Sequence, residues 1–193
     1  EKSRSELTTS QTALKAKEAK LNELQSILDK KDSTVKALKN KVSSALTGYE
    51  GKGLTISQKN GKIYVSLEES LLFASGSFTV DPKGVAAIKE LAKLLETNED
   101  INVLIEGHTD NVPYKGTGVL KDNWDLSALR ATAIVKIITS NSDVNPKRLT
   151  SAGRSEYDPV ESNTTKEGKA KNRRTEIILT PKLDELFKII ETN

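Results

Sequence analysis

The sequence predicts an α+β fold: a mixed β-sheet with two main helices packed on one face, preceded by a long N-terminal helix. Three observations carry that prediction. Leucine and valine recur at heptad spacing through a first region that holds no Gly or Pro before Gly48. Asn60-Gly61 separates two short runs of strand-forming residues, the strongest local hairpin signal. From Asp81 onward, amphipathic helical stretches alternate with short apolar strands.

Residues 1–47 come first. Leu7, Leu14, Leu21, Leu28, Val35 and Val42 share one heptad position, and Leu24 and Leu38 fill the companion seam position. Ser10, Lys17 and Lys31 interrupt that companion row. The pattern reads as a coiled-coil stalk joining two or three chains, with a lone helix or an antiparallel contact as the alternative. Residues 48–53 form a hinge, 54–180 the globular domain and 181–193 a C-terminal amphipathic helix.

Within the domain, Leu54–Gln58 and Lys62–Leu67 are the hairpin strands. Asp81-Pro82 caps and opens a helix to about Thr97, with Val85, Ile88, Leu91, Ala92 and Leu95 on one face. Ile101–Glu106 is a mostly buried strand, Asp125–Ser140 a helix and Arg148–Ala152 a strand. Thr164 and Glu167 fit a capping box ahead of a short helix, and Arg174–Leu179 is the last strand. Thr180-Pro181 then begins the terminal helix, on which Leu183, Leu186, Phe187 and Ile190 share a stripe.

Composition bounds the function. With 193 residues the chain has room for one ordinary domain and an extension. Thirty basic residues stand against 27 acidic ones, and Lys171–Arg174 is only a local basic cluster, so no nucleic-acid partner is expected. The absence of cysteine suits an exported protein without disulfides. No methionine occurs, at position 1 or elsewhere, and the expectation is a chain cut from a longer precursor, with membrane attachment through a segment upstream of Glu1.

The chemistry concentrates where the strand 101–106 ends. Gly107-His108-Thr109-Asp110 is a polar loop that sets Asp110 at a strand's carboxyl end, where open sheets place ligands. On the following helix the apolar stripe is Leu126, Leu129, Ala133, Ile134 and Ile137, and Arg130 falls inside it. An arginine there needs a carboxylate, because an unpaired buried charge costs several kcal/mol. Asp110 is the candidate supplied by the preceding loop. The pair is either a structural clamp between loop and helix or a ligand site, and spacing alone favours the clamp.

Three motifs in order, GHTDNVP at Gly107–Pro113, NWDLSALRA at Asn123–Ala131 and NRRTEI at Asn172–Ile177, resemble the OmpA-like C-terminal domain. Their wording is most similar to the MotB-like branch, and the match runs from about Gly53 to Leu186. The resemblance implies a periplasmic module that grips the diaminopimelate of the peptidoglycan stem peptide. It assigns Asp110 and Arg130 to the ligand's two charges, with Asn123 and Arg173 supporting them. Thr109, Asn111 and Val112 of the loop, and Leu126 at the helix start, complete the expected ligand-binding set. Gly76 stands where many relatives have asparagine and offers only backbone. The loop Tyr114–Asp122 is longer than the common pattern and acts as a flap or projects into solvent.

Two further residues draw notice. His108, the only histidine, has no second His and no Cys to complete a zinc site, and loop-shaping by hydrogen bonding is the preferred reading. Trp124 either stacks on a sugar or packs as a hydrophobic staple at the helix start. No catalytic residue, cofactor or metal is expected. The leading function is non-catalytic wall binding by an envelope protein in the periplasm, tethered to the outer membrane as a lipoprotein would be. The alternatives are the wall-anchoring region of a MotB-like stator or scaffold, and a peptidoglycan hydrolase.

Overall fold

The computed structural model describes residues 2–182 apart from 117 and 119. The chain divides into two units, one taking in residues up to Lys36 and the other Ala37–Lys182. Helix α1 (Lys2–Ala45) runs 44 residues without a break, as the missing Gly and Pro demand. In the first unit Leu7, Leu14, Leu21 and Leu28 are between 44% and 65% exposed, so a single chain leaves this seam in water. In the second unit Leu38, Val42 and Leu46 are buried, so the compact unit begins ahead of the expected hinge. The hinge segment is itself tied to the sheet, for Gly51 N–H donates to the Leu54 carbonyl at 3.0 Å and Glu68 N–H to that of Gly53 at 2.7 Å.

The sheet is built from β1 (Leu54–Lys59), β2 (Lys62–Glu68), β3 (Ile101–Gly107), β4 (Leu149–Gly153) and β5 (Arg174–Pro181). Their order is β1-β2-β5-β3-β4, with β3 and β4 parallel and the other pairs antiparallel. The hairpin turn has φ of 53° at Asn60 and 68° at Gly61, the left-handed pair that Asn-Gly supplies at least cost. The last strand thus enters the middle of the sheet. It also runs on to Pro181, so the sheet claims the Thr180-Pro181 step expected to open a helix. The predicted stripe of Leu183, Leu186, Phe187 and Ile190 lies outside the described residues.

Alternation puts Ile63, Val65 and Leu67 of β2, Val103 and Ile105 of β3, and Ile177 and Leu179 of β5 on one face, in register. Helix α3 (Pro82–Glu96) contributes Ala87, Ile88, Leu91, Ala92 and Leu95 to the buried core, and α4 (Asn123–Asn141) contributes Ala131, Ile134 and Ile138. Each such buried aliphatic side chain larger than alanine contributes on the order of 1.5–3 kcal/mol. Arg148 sits in a single 3-10 turn, Pro146–Arg148, rather than in the strand. Its guanidinium donates to the carbonyls of Leu95, Asn98 and Ile101 at 2.7–3.1 Å, satisfying groups at and beyond the end of α3.

The stripe of α4 is rotated from the expected one. Leu126, Ser127, Arg130, Ala131, Ile134 and Ile138 are buried, whereas Leu129, Ala133 and Ile137 are only partly so. The cause is a close backbone approach: a Cβ on Gly107 would lie 2.1 Å from the Ser127 carbonyl oxygen, and one on Gly153 would lie 2.8 Å from Ala128 N. Small residues on both sides let the helix sit directly on the parallel strand pair.

Candidate functional site at the carboxyl end of the central strands

Asp122 starts α4, its Oδ1 accepting the N–H groups of Trp124 and Asp125 at 2.9 and 3.0 Å. That cap fixes where Asn123, Leu126 and Arg130 stand relative to the loop after β3. Asn123 is buried, and its amide closes the loop: Nδ2 donates to the Val112 carbonyl at 3.1 Å and to Glu156 Oε2 at 2.8 Å, while Oδ1 accepts Tyr114 N–H at 3.2 Å. Thr109 ties the same loop to its neighbour by donating its N–H to the Ser155 carbonyl at 2.8 Å.

The expected Asp110–Arg130 pair does not form. Arg130 is 2% exposed and its carboxylate partner is Glu69, at the start of the short helix α2 (Glu69–Leu72). Its Nε donates to the Ser77 carbonyl at 2.9 Å, and the guanidinium carbon lies 4.8 Å from the centre of the Phe73 ring. Asp110 turns to Arg173 instead, accepting from Nη1 at 2.6 Å on Oδ2, while Oδ1 accepts Val112 N–H at 3.0 Å. Arg173 closes the line, its Nε donating to Glu69 Oε2 at 2.5 Å. Burial pulls the Arg173 guanidinium down, but the bonds to Asp110 and Glu69 outweigh it and hold the group above its usual value.

The result is a row of alternating charges, Arg130, Glu69, Arg173, Asp110. Sequence reasoning missed Glu69, although the buried arginine announced that a carboxylate had to exist. The long-range pairing of β2 with β5 brings it there, with Glu69 N–H donating to the Arg173 carbonyl at 2.8 Å. A cleft of about 270 Å³ opens over the Arg130, Arg173 and Asp110 members of this row, lined also by Gly76, Thr109, Val112, Asn123 and Leu126 among others. Of the expected set, Asn111 alone is not in the lining and faces solvent. The Gly76 carbonyl accepts the Tyr114 hydroxyl at 3.4 Å, so the backbone there contacts the long loop. That loop is held at both ends, with Leu120 buried and Lys121 N–H donating to Asp125 Oδ2 at 2.8 Å.

His108 does not shape the loop through its side chain. The imidazole is 1% exposed and neither ring nitrogen has a hydrogen-bond partner among the described residues, although its backbone N–H donates to the Arg174 carbonyl at 2.9 Å. Burial first, then the neighbouring Arg174, pushes its pKa down to about 3. Trp124 is half exposed and lies against Tyr157 with ring centres 5.5 Å apart, so it staples nothing into the core.

Residues 72–173 match the OmpA family. The chain belongs to the OmpA family. Its relatives place it in the MotB-like branch. Motility protein B of Bacillus subtilis (strain 168) is 37% identical over 120 residues, covering 62% of this chain and 46% of that protein. The chain therefore spans about half the length of that relative. A crystal structure of a MotB-like protein from Desulfovibrio vulgaris is 28% identical with a TM-score of 0.73, over 80% of this chain and 95% of that one. The cell wall anchor of the T6SS from Pseudomonas aeruginosa is 29% identical with a TM-score of 0.64, over 73% of this chain and 97% of that one. Among the described residues no helix is long and apolar enough to cross a membrane.

Proposed function

We propose that this OmpA-family chain is a non-catalytic anchor that holds an envelope protein to peptidoglycan through the diaminopimelate of the stem peptide. The observation that carries the reading is a charge-neutral row of which Arg130, Arg173 and Asp110 line the cleft, with Glu69 bridging the two arginines beside it. A free α-amino and α-carboxylate pair matches it without adding net charge: the ammonium lies beside Asp110, and the carboxylate shares the guanidiniums of Arg173 and Arg130. Arg173 is the more accessible of the two, its side chain 33% exposed against 2% for Arg130, so it takes the larger share of ligand contact. A singly charged ligand leaves one of the four groups unbalanced in a half-buried place. The resemblance to a cell wall anchor supports the same reading.

The carboxylates of the row, Glu69 and Asp110, are both hydrogen-bonded to guanidiniums, which suits binding rather than acid–base turnover. The likeness to Motility protein B supports a narrower version, the wall-anchoring region of a stator or scaffold. The exposed leucine seam of α1 supports association of chains into a multivalent anchor, whose avidity on a polymeric wall exceeds that of one head.

Isothermal titration against a diaminopimelate stem peptide, a lysine stem peptide and a diaminopimelate peptide with its distal carboxylate amidated tests the site. Only the first binds well on this reading. Equal affinity for all three sinks the zwitterion assignment. Co-sedimentation with purified sacculi, without release of soluble fragments, separates anchor from hydrolase.

A further inference from the structure

On the sheet face away from α3 and α4, a second group of ionisable side chains surrounds His108. Strand alternation places Glu106 and Glu176 opposite each other on that face, and His108 Nε2 lies 3.8 Å from Glu106 Oε2 and 3.9 Å from Glu176 Oε2. Asp158, from the segment after β4, completes the approach: one donor atom each from Glu106, His108 and Asp158 lie within 4.8 Å of one another. The imidazole is buried, and both its nitrogens are without a hydrogen-bond partner among the described residues.

We propose that Glu106, His108 and Asp158 form a binding site for a divalent transition-metal ion of the zinc class. One imidazole nitrogen and two carboxylates are the N/O donor set that such ions take, and three protein ligands leave the fourth position to water or an exogenous group. Bonds of about 2.0–2.2 Å set tetrahedral ligand atoms roughly 3.4 Å apart. His108 and Glu106 stand 3.8 Å apart and all three donor atoms lie within 4.8 Å, so binding draws them together by side-chain rotation, most freely at the exposed Asp158. The buried His108 and the 17%-exposed Glu106 make the floor, and Asp158, 48% exposed, is the mouth.

The neighbouring arginines define the competition. Arg174 is committed elsewhere, its Nε donating to Glu176 Oε1 at 2.8 Å and its Nη1 to the Asp158 carbonyl at 3.2 Å. Arg154 is 48% exposed and stands 4.0 Å from Glu106 and 3.6 Å from Asp158, beyond hydrogen-bond distance, so it is a loose counter-ion. With Arg154 swung into solvent, a dication leaves the three carboxylates balanced by itself and Arg174. Counting His and Cys along the sequence finds no such site, because two of the three ligands are carboxylates and one comes from a distant loop.

The test is titration of the 193-residue chain with Zn2+ by calorimetry in chelator-free buffer, with Co2+ absorption as a second probe. Wild type takes up one Zn2+ per chain, and Zn2+ raises its melting temperature. Asp158→Asn, at an exposed position that leaves the fold intact by circular dichroism, weakens binding at least tenfold and abolishes the thermal shift. Arg154→Ala, which removes the competing cation, tightens binding. Absence of one-to-one binding, equal affinity in wild type and Asp158→Asn, or weaker binding in Arg154→Ala overturns the proposal.

Discussion

The two faces of the sheet carry ionic groups of opposite temper. On the helix side, Arg130, Glu69, Arg173 and Asp110 are joined end to end by short charge-assisted hydrogen bonds. On the other side, Glu106 stands 3.8 Å from His108 and 4.0 Å from Arg154, and Arg154 3.6 Å from Asp158, with no side-chain hydrogen bond joining any two of the four among the described residues. The same chain segments feed both. Residues 106 to 110 send Glu106 and His108 one way and Asp110 the other, and adjacent Arg173 and Arg174 part company at the head of β5. A closed network sets geometry and stores little freedom, whereas an open one leaves donors available. Charge count alone does not distinguish them.

Breaking the closed network gives the largest expected effect. Glu69→Gln leaves Arg130 buried without its carboxylate and lowers stability by about 3–5 kcal/mol in denaturant titration. A loss below ~1 kcal/mol shows that Ser77 and the Phe73 ring suffice to hold the guanidinium. The open network is probed by pH in the presence of EDTA. The unfolded His108 binds a proton below 6.5, while the folded one resists until about 3. Its contribution is therefore complete above 6.5 and falls as pH drops toward 3, by a few kcal/mol at most. Glu106, held above the usual carboxylate range by burial first and by Glu176 and Asp158 among its neighbours, opposes part of that fall. His108→Gln should flatten the stability profile between pH 6.5 and 4, and an unchanged profile removes His108 as its source.

Asp110→Asn keeps the shape of the loop but weakens both the bond to Arg173 and any ammonium contact. It is expected to cost roughly 2–4 kcal/mol of affinity for the diaminopimelate peptide, read by calorimetry, with a smaller loss of stability. The smallest effect sharpens the comparison at its shared root. Helix α5 (Lys166–Asn172) delivers both arginines, and its cap is Thr165, whose Oγ1 accepts Gly168 N–H at 3.0 Å. Thr165→Ala is expected to cost about 1 kcal/mol, and Thr164→Ala much less. The reverse order restores the capping box read from Thr164 and Glu167.

That capping box shows where local reading stops. The five strands, the long helices and the hairpin follow from period and turn residues and lie within about two residues of the expected bounds, whereas the four-residue α2 carries no such signal. The choice between neighbouring threonines depends on which one lies extended before the helix, which the pattern does not encode. Arg130 was legible as a buried charge, and Asp110, Asn123, Leu126 and Arg173 were legible as neighbours of one cleft. Its partner Glu69 was not, since only the docking of β5 against β2 brings the two regions together. The His108 group stayed hidden for the same reason.

Strand β5 lies between β2 and β3 and is antiparallel to both. Arg173, directly before it, reaches into the cleft. Tension applied at Arg173 along the strand therefore loads two hydrogen-bond ladders at once, in shear, and cannot peel them open one rung at a time. On the proposed reading, a wall ligand held by Arg173 pulls on a strand placed to resist that load.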